Sequence, residues 1–280
     1  MATGNTTSST ISPLLPTLKA AALASFMDTG PTRQLVANYD MTNGSLVLPN
    51  YGTLSVAALT EGVPIGSVQQ MSIGSATLSA VKYGAKVFLT DEAIERALRS
   101  GNEDLIAEAG RELGMAIGAQ VDTLLVALFD GFSNSVGLAG TSLSVAEFGK
   151  AISTLRANNA PQPYYAVLHP HQAYDLFVDM KVPSTSAASN LEQVTARPFF
   201  EGYCLGVPVY TSANLTVDGS GDAKGGMFNR DAIAFGIEKD ISIEEEREIG
   251  TGWYVAATMR FAYVERKDTY GVELYYDATL

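Results

Sequence analysis

The side chains able to do chemistry fall in four places in this sequence. The two histidines stand together as His169-Pro170-His171, in principle an acid–base or metal-binding pair. A zinc site needs more ligands, and neither a cysteine nor an HxxxH partner lies near them, so the pair reads as a strand-to-helix turn. "DGSGD", Asp218 to Asp222, offers two carboxylates to a hard cation. It lacks the glutamate that completes an EF-hand loop, and a plain turn is the expectation. "EEERE", Glu244 to Glu248, is the densest acidic run. On a strand, Glu244, Glu246 and Glu248 share one face while Glu245 and Arg247 share the other. A solvated or salt-bridging edge between subunits fits that pattern. Cys204 is the single cysteine, so no intrachain disulfide forms, which suits a reducing cytoplasm.

The nucleophile elbow G-x-S-x-G, the P-loop and G-x-G-x-x-G are all missing from the sequence. Nothing assembles a nucleophile, a base and an oxyanion hole. The expectation is a protein without catalytic residues, metal or cofactor; a carboxylate-based hydrolase is the enzymatic alternative.

These residues sit in a chain of 280 with a thin charged coat, 46% apolar and 17% charged, as expected where neighbours cover much of the surface. The length suffices for a large core. Net charge is −12 and no Lys/Arg cluster occurs, so tight binding to nucleic acid through phosphates is not expected. The N-terminus lacks a signal peptide's basic start and apolar run, and no stretch reads as long and apolar enough to span a bilayer.

The positioning elements follow from periodicity. Residues 1–16, rich in Ser and Thr, read as an arm that orders only against something else. "TLKAAALASFMD" favours a short helix closed by Gly30-Pro31. From Asn43 to Val81 the chain holds one charged side chain, Glu61, in thirty-nine residues. Its period is near two, with "SLVLP", "LSVAAL" and "VQQMSI" as strands between Gly-containing turns. Such a ribbon is marginal alone and needs a partner surface.

Next comes the clearest helix, 91–129, with Thr90 or Asp91 as cap. Its stripe is Ile94, Leu98, Leu105, Ala109, Leu113, Ile117, Val121, Leu124 and Leu128. Unbroken, it would run ~58 Å; "SGN" at 100–102 is where it would kink or divide. Ser144 and Glu147 form a capping box ahead of Phe148, Ile152 and Leu155. "YYAVLHP" reads as a buried strand, "HQAYDLFVDM" as a helix, residues 181–202 as irregular, "GVPVYTSANL" as a strand and "DGSGDAKGG" as a turn. The last fifty residues alternate as long antiparallel strands. The class is α+β.

The ordered set of "GSLVLP", "EGVPI", "KYGAKVFLTDEAIERA", "DTLLVALFDG", "AVLHP", "GVPVYTS", "GGMFNRDAIAFGIEKDISIEEERE" and "GWYVAATMRFAYVERKDTYGVEL" resembles the major capsid protein of tailed double-stranded DNA bacteriophages, of the HK97-fold type, from about residue 20 to the end. The resemblance implies an N-terminal arm at 1–40, an extended loop (E-loop) at 41–83 and a peripheral domain with a spine helix at 84–143. It further implies an axial domain at 144–238, peripheral strands at 239–264 and a C-terminal strand or tail at 265–280. It implies assembly with copies of itself as pentamers and hexamers into an icosahedral shell around double-stranded DNA. The expected intersubunit residues are Leu46, Leu48, Tyr51, Leu54, Val56, Glu61, Val63 and Ile65 in the E-loop, and Glu244, Glu246, Arg247 and Glu248 on the peripheral strands. Glu61 should meet a basic partner or face solvent.

Portal, scaffolding and decoration proteins are the further partners implied, with packaged DNA contacted weakly. The location implied is the virion capsid, after assembly in the host cytoplasm without a membrane. Some relatives crosslink through an E-loop lysine, but none lies between Asn43 and Val81, and Lys82 is the nearest; noncovalent shells are expected. Some relatives also carry a long charged N-terminal scaffolding segment, whereas a short polar arm stands here, so a separate scaffold or no cleaved segment is expected. An encapsulin-type nanocompartment enclosing cargo enzymes is the alternative with the same fold.

Overall fold

Two long strands near the C-terminus, Ile233–Glu248 and Gly252–Glu265, form the middle of the first sheet. The computed structural model describes residues 14–27, 29–52, 54–56, 58, 61–62, 70–99, 104–181 and 200–279. The elements are α1 (Leu14–Met27), α2 (Thr32–Leu35), β1 (Ala37–Asp40), β2 (Ser45–Tyr51), β3 (Ile73–Ser79), β4 (Val81–Thr90), α3 (Asp91–Arg99), α4 (Asp104–Val126), β5 (Ser135–Gly137) and α5 (Val145–Ala157). They continue with β6 (Tyr164–Leu168), α6 (Pro170–Lys181), β7 (Phe200–Cys204), β8 (Val207–Thr211), β9 (Asp222–Asn229), β10 (Ile233–Glu248), β11 (Gly252–Glu265) and β12 (Gly271–Asp277).

One sheet runs β1-β10-β11-β4, with β1 parallel to β10 and the other pairs antiparallel. Val255, Ala257, Met259 and Phe261 are buried on one face of β11, in a core shared with Leu113, Ile117, Val121 and Leu125 of α4. Period two on the strand meets period 3.6 on the helix, which lets each bury one stripe. A second sheet runs β5-β12-β9-β6-β8-β7 and shares a core with Phe148, Ile152 and Leu155 of α5 and Leu176 of α6. A 3₁₀ turn after α4, Ala127–Gly131, carries the fully buried Phe129 against Phe228 of β9, ring centres 5.3 Å apart. That contact ties the second sheet to the end of α4.

Of the helix expected at 91–129, Asp91–Arg99 is α3 and Asp104–Val126 is α4; residues 100–103, which hold the "SGN" where it would kink or divide, lie outside the described residues. Of its predicted stripe, Leu113, Ile117 and Val121 are buried and Ile94, Ala109, Leu124 and Leu128 pack against the core; the side chains of Leu98 and Leu105 lie outside the described residues. The expectation that no segment is apolar enough for a bilayer needs correction, since Glu108–Gly131 passes by length and composition. Its apolar stripe is the core of this chain, which accounts for that composition.

The helix expected in "TLKAAALASFMD" is present as α1. α1 begins at Leu14 and lies on α4, where Gly114 and Gly118 leave room for it. A Cβ on Gly114 would sit 2.2 Å from the Ala22 carbonyl oxygen, and one on Gly118 2.6 Å from Thr29 Oγ1. Ser25 Oγ donates to the Arg111 carbonyl at 2.9 Å across the same contact. Residues 1–13 lie outside the described residues.

Other boundaries shift for local reasons. "DAKGG" lies in β9, not in a turn: a Cβ on Gly226 would come within 2.6 Å of the Phe129 ring. Glycine marks a close approach there. β10 joins the first sheet from Ile233, while β5 and the C-terminal β12 belong to the second. The capping box is half formed: Ser144 Oγ accepts from the Glu147 N–H at 3.3 Å, while the Glu147 carboxylate engages Lys150 and the Tyr276 hydroxyl. "LSVAAL" forms no strand where it is described, and residues 182–199 lie outside the described residues.

Candidate intersubunit surfaces

The uncharged segment is a two-stranded hairpin, β2 with β3, registered from Ser45↔Ser79 to Tyr51↔Ile73. Its inner face is held by its own chain. Leu48 and Leu78 are buried with Met41, Ala234 and Ala262, and Leu46 packs against them. Polar contacts fix the same junction. Asn50 Nδ2 donates to the Arg266 carbonyl at 2.6 Å, and Arg266 Nε donates back to Asn50 Oδ1 at 3.2 Å. The Arg266 guanidinium also donates to the Tyr39 hydroxyl at 2.8 Å.

The other face is left uncovered by the described residues. Val47, Tyr51, Leu54 and Ile73 are more than half exposed, Val56 is 98% exposed, and Met71 is exposed as well. Isolated exposed apolar residues are ordinary, but six on one charge-poor projection form a patch. Two expected interface residues therefore change place. Leu48, at 7% exposure, and half-buried Leu46 point to the chain's own sheet, and Val47 takes the outward position. Strand alternation predicts two faces but not which one the chain itself covers. Tyr51, Leu54, Val56 and Glu61 are exposed; Val63 and Ile65 lie outside the described residues.

The acidic run lies at the outer end of β10, with Glu244, Glu246, Arg247 and Glu248 all exposed. The register gives rows Glu244–Ala256–Lys86, Glu246–Tyr254–Phe88 and Glu248–Gly252–Thr90 across β10, β11 and β4. One face thus presents three glutamates beside an aromatic pair, Phe88 and Tyr254, with ring centres 4.5 Å apart. Lys86 Nζ lies 3.7 Å from the centre of the Tyr254 ring, an ammonium–π contact. A hydrogen bond to Glu248 raises the Tyr254 phenol above its ordinary value. Arg247, on the opposite face, stacks over Trp253.

The remaining candidates are structural. His169 follows β6 and His171 lies in the first turn of α6, where its Nδ1 lies 2.6 Å from the Ala278 carbonyl oxygen. Burial, then the neighbouring His171, lowers the His169 pKa. Asp218 closes a turn: hydrogen bonds from the Asp222 N–H to Oδ1 at 3.0 Å, from the Tyr275 hydroxyl to Oδ2 at 2.8 Å and from the Ser220 N–H to Oδ1 at 2.8 Å hold the carboxyl below the usual range. Asp222 Oδ1 accepts from the Gly140 N–H at 2.7 Å. Cys204 is buried, and burial pushes its thiol up to about 12.

One polar residue escaped the sequence reading. Asp122 sits in the apolar stretch of α4, 3% exposed. Its Oδ1 accepts from the Thr32 N–H at 3.2 Å; Oδ2 accepts from Ser212 Oγ at 2.5 Å and Asn214 Nδ2 at 2.9 Å. It joins the N-terminal segment, α4 and the loop after β8. A lone acid in the apolar stretch from Leu113 to Val126 was the available signal, since a buried carboxylate requires partners.

The phage capsid protein family matches residues 74–272. No curated protein matches the sequence. Among solved structures, the chain is similar to the capsid of cyanophage P-SCSP1u, with TM-score 0.66, 15% identity, and 90% of this chain and 89% of that one covered. The structure from Mycobacterium phage Che8 gives TM-score 0.66 and 16% identity over 88% and 91%. The virus-like particle from Pyrococcus furiosus gives 0.62 and 11% over 92% and 97%. At such identities these likenesses establish the fold, which is HK97-like. A capsid protein of this family is structural, not enzymatic, associates with its own copies into a shell and resides in the virion capsid; the match does not favour a cellular nanocompartment. By the match across most of its length, the chain belongs to the phage capsid protein family.

Proposed function

We propose that this is the major capsid protein of a tailed phage, assembling as pentamers and hexamers into an icosahedral shell around double-stranded DNA. The observation that carries this reading is the hairpin. Its base is pinned by Leu48, Leu78 and the Asn50–Arg266 pair, while its outward apolar face has no counter-surface among the described residues. A neighbouring subunit supplies that surface, and many modest contacts of this kind sum by avidity.

On this reading residues 41–83 act as the E-loop, with Val47, Tyr51, Leu54, Val56 and Ile73 as contact residues. Val63 and Ile65 remain assigned to the same loop. Glu244, Glu246, Arg247 and Glu248 form a second contact on the peripheral strands. Assembly takes place in the host cytoplasm with a separate scaffolding protein and a portal. The net charge of −12 keeps DNA contacts weak. No lysine lies in the loop between Asn43 and Val81, so the shell is noncovalent and boiled particles should give a monomer band.

The test is sedimentation of wild type beside Val47→Asp and Ile73→Asp. Wild type should sediment at shell size, and the variants as small, folded species with unchanged circular dichroism. Variants that assemble as wild type does would remove the hairpin from the assembly contact.

A further inference from the structure

The four-stranded sheet has two open edges among the described residues. β1 pairs β10 only from Ala234 to Ile237, so from Ser242 to Glu248 β10 has β11 on one side and no strand on the other. At the opposite border, all ten residues of β4 pair with β11 alone. Exposed edges carry unpaired N–H and C=O groups and invite another strand.

The two edges differ in charge. From Ser242 to Glu248, β10 carries Glu244, Glu245, Glu246 and Glu248 against Arg247, whereas β4 carries Lys82 and Lys86 and no acid. By register, Lys86 shares a face with Glu244, Glu246 and Glu248. Lys82, four residues along the strand from Lys86, shares it too. Lys86 already lies over Tyr254. Lys82 and Glu244 are exposed, and neither makes an ion pair among the described residues.

Charge therefore sorts the ways in which two copies can meet. β10 against β10 places acid on acid, and β4 against β4 places ammonium on ammonium; like charges brought together disfavour a contact. β10 of one copy against β4 of the next opposes unlike charges on a common face. That contact is head to tail, the kind that closes into rings rather than two-fold pairs. We propose that, within a capsomer, the acidic edge of β10 of one subunit lies against the Lys82–Lys86 edge of β4 of the next. The proposal rests on the shell reading above and adds to it the partner surface and the direction of the contact.

Two reversals test it, Lys82→Glu with Lys86→Glu, and Glu244→Lys with Glu246→Lys, alone and combined, with folding checked by circular dichroism. Each reversal alone should cut assembly at low salt by about tenfold or more, and the combination should restore it to within about threefold of wild type. Zero-length carbodiimide crosslinking of wild-type shells should join Lys82 to Glu244 or Glu246 of another copy, and should not do so in unassembled subunits. Single reversals that assemble like wild type, a combination no better than its parts, or shells without that crosslink would each overturn the proposal. Wild type that forms no shells, with or without its scaffold, would instead overturn the shell reading itself.

Discussion

Asn50 and Arg266 exchange hydrogen bonds, the amide donating to the backbone carbonyl and the guanidinium donating back to the amide oxygen. They lie 216 positions apart in sequence, and the pair fixes the hairpin at the point where β11 leaves the first sheet. Asn50→Ala should weaken the base of the hairpin by about 1 kcal/mol, and Arg266→Ala by more, because it also loses Tyr39. A double-mutant cycle on unassembled subunits, read by denaturant unfolding, should give a coupling of about 0.5–1.5 kcal/mol. Purely additive effects would mean that the two residues act separately.

Asp122 makes a harsher demand. Asp122→Asn keeps the volume but turns an amide donor toward Ser212 or Asn214, or toward the Thr32 N–H. With the group buried, the cost should be about 2–3 kcal/mol. Chemical denaturation measures it, and a loss below about 0.5 kcal/mol would show the network to be dispensable.

The α1–α4 contact predicts an inversion of helix propensity. Alanine normally stabilises a helix interior over glycine by about 1 kcal/mol. Gly114→Ala and Gly118→Ala should nonetheless destabilise by about 1–3 kcal/mol each, since the added methyl meets the backbone of α1 or the Thr29 side chain. Faster proteolysis within residues 14–27 is the second readout. A stabilised Gly114→Ala variant would contradict the close packing.

Glu265 sets a pH dependence. Burial first, then the nearby Asp268 carboxylate and a hydrogen bond to it, raise the Glu265 carboxyl from 4.5 to about 7. Asp268 also accepts hydrogen bonds from the Ser133 N–H and hydroxyl, so the pair lies where the segment after β11 meets the loop after α4. At acid pH both folded and unfolded chains hold the Glu265 proton. Between 4.5 and about 7 the unfolded chain releases it first, so this group's contribution to stability falls as pH rises through that window. Glu265→Gln should flatten that part of the stability–pH curve. An unchanged slope would mean that Glu265 ionises normally in the fold.

Much of this architecture is legible in the sequence because period and length carry it. The stripe through Leu113, Ile117 and Val121 indicates one buried helix face, and the alternation through β10 and β11 indicates long paired strands. The acidic run is legible as a face, Glu244 with Glu246 and Glu248, which the register bears out. What escaped depends on contacts between distant segments. Leu48 and Val47 alternate equally well, and only the presence of Ala234 and Ala262 opposite decides which turns inward. Gly225 and Gly226 resemble a turn until Phe129 is placed against the strand. Asp122 acquires its purpose only when Thr32 and Ser212 arrive beside it.

The most direct measurement is electron cryomicroscopy of particles from the expressed protein, alone and with its scaffold. The shell reading predicts closed icosahedral particles in which the outward face of Val47, Tyr51, Leu54, Val56 and Ile73 is covered by an adjacent subunit. Monomers or open aggregates under both conditions, or shells that leave this face exposed to solvent, would contradict it.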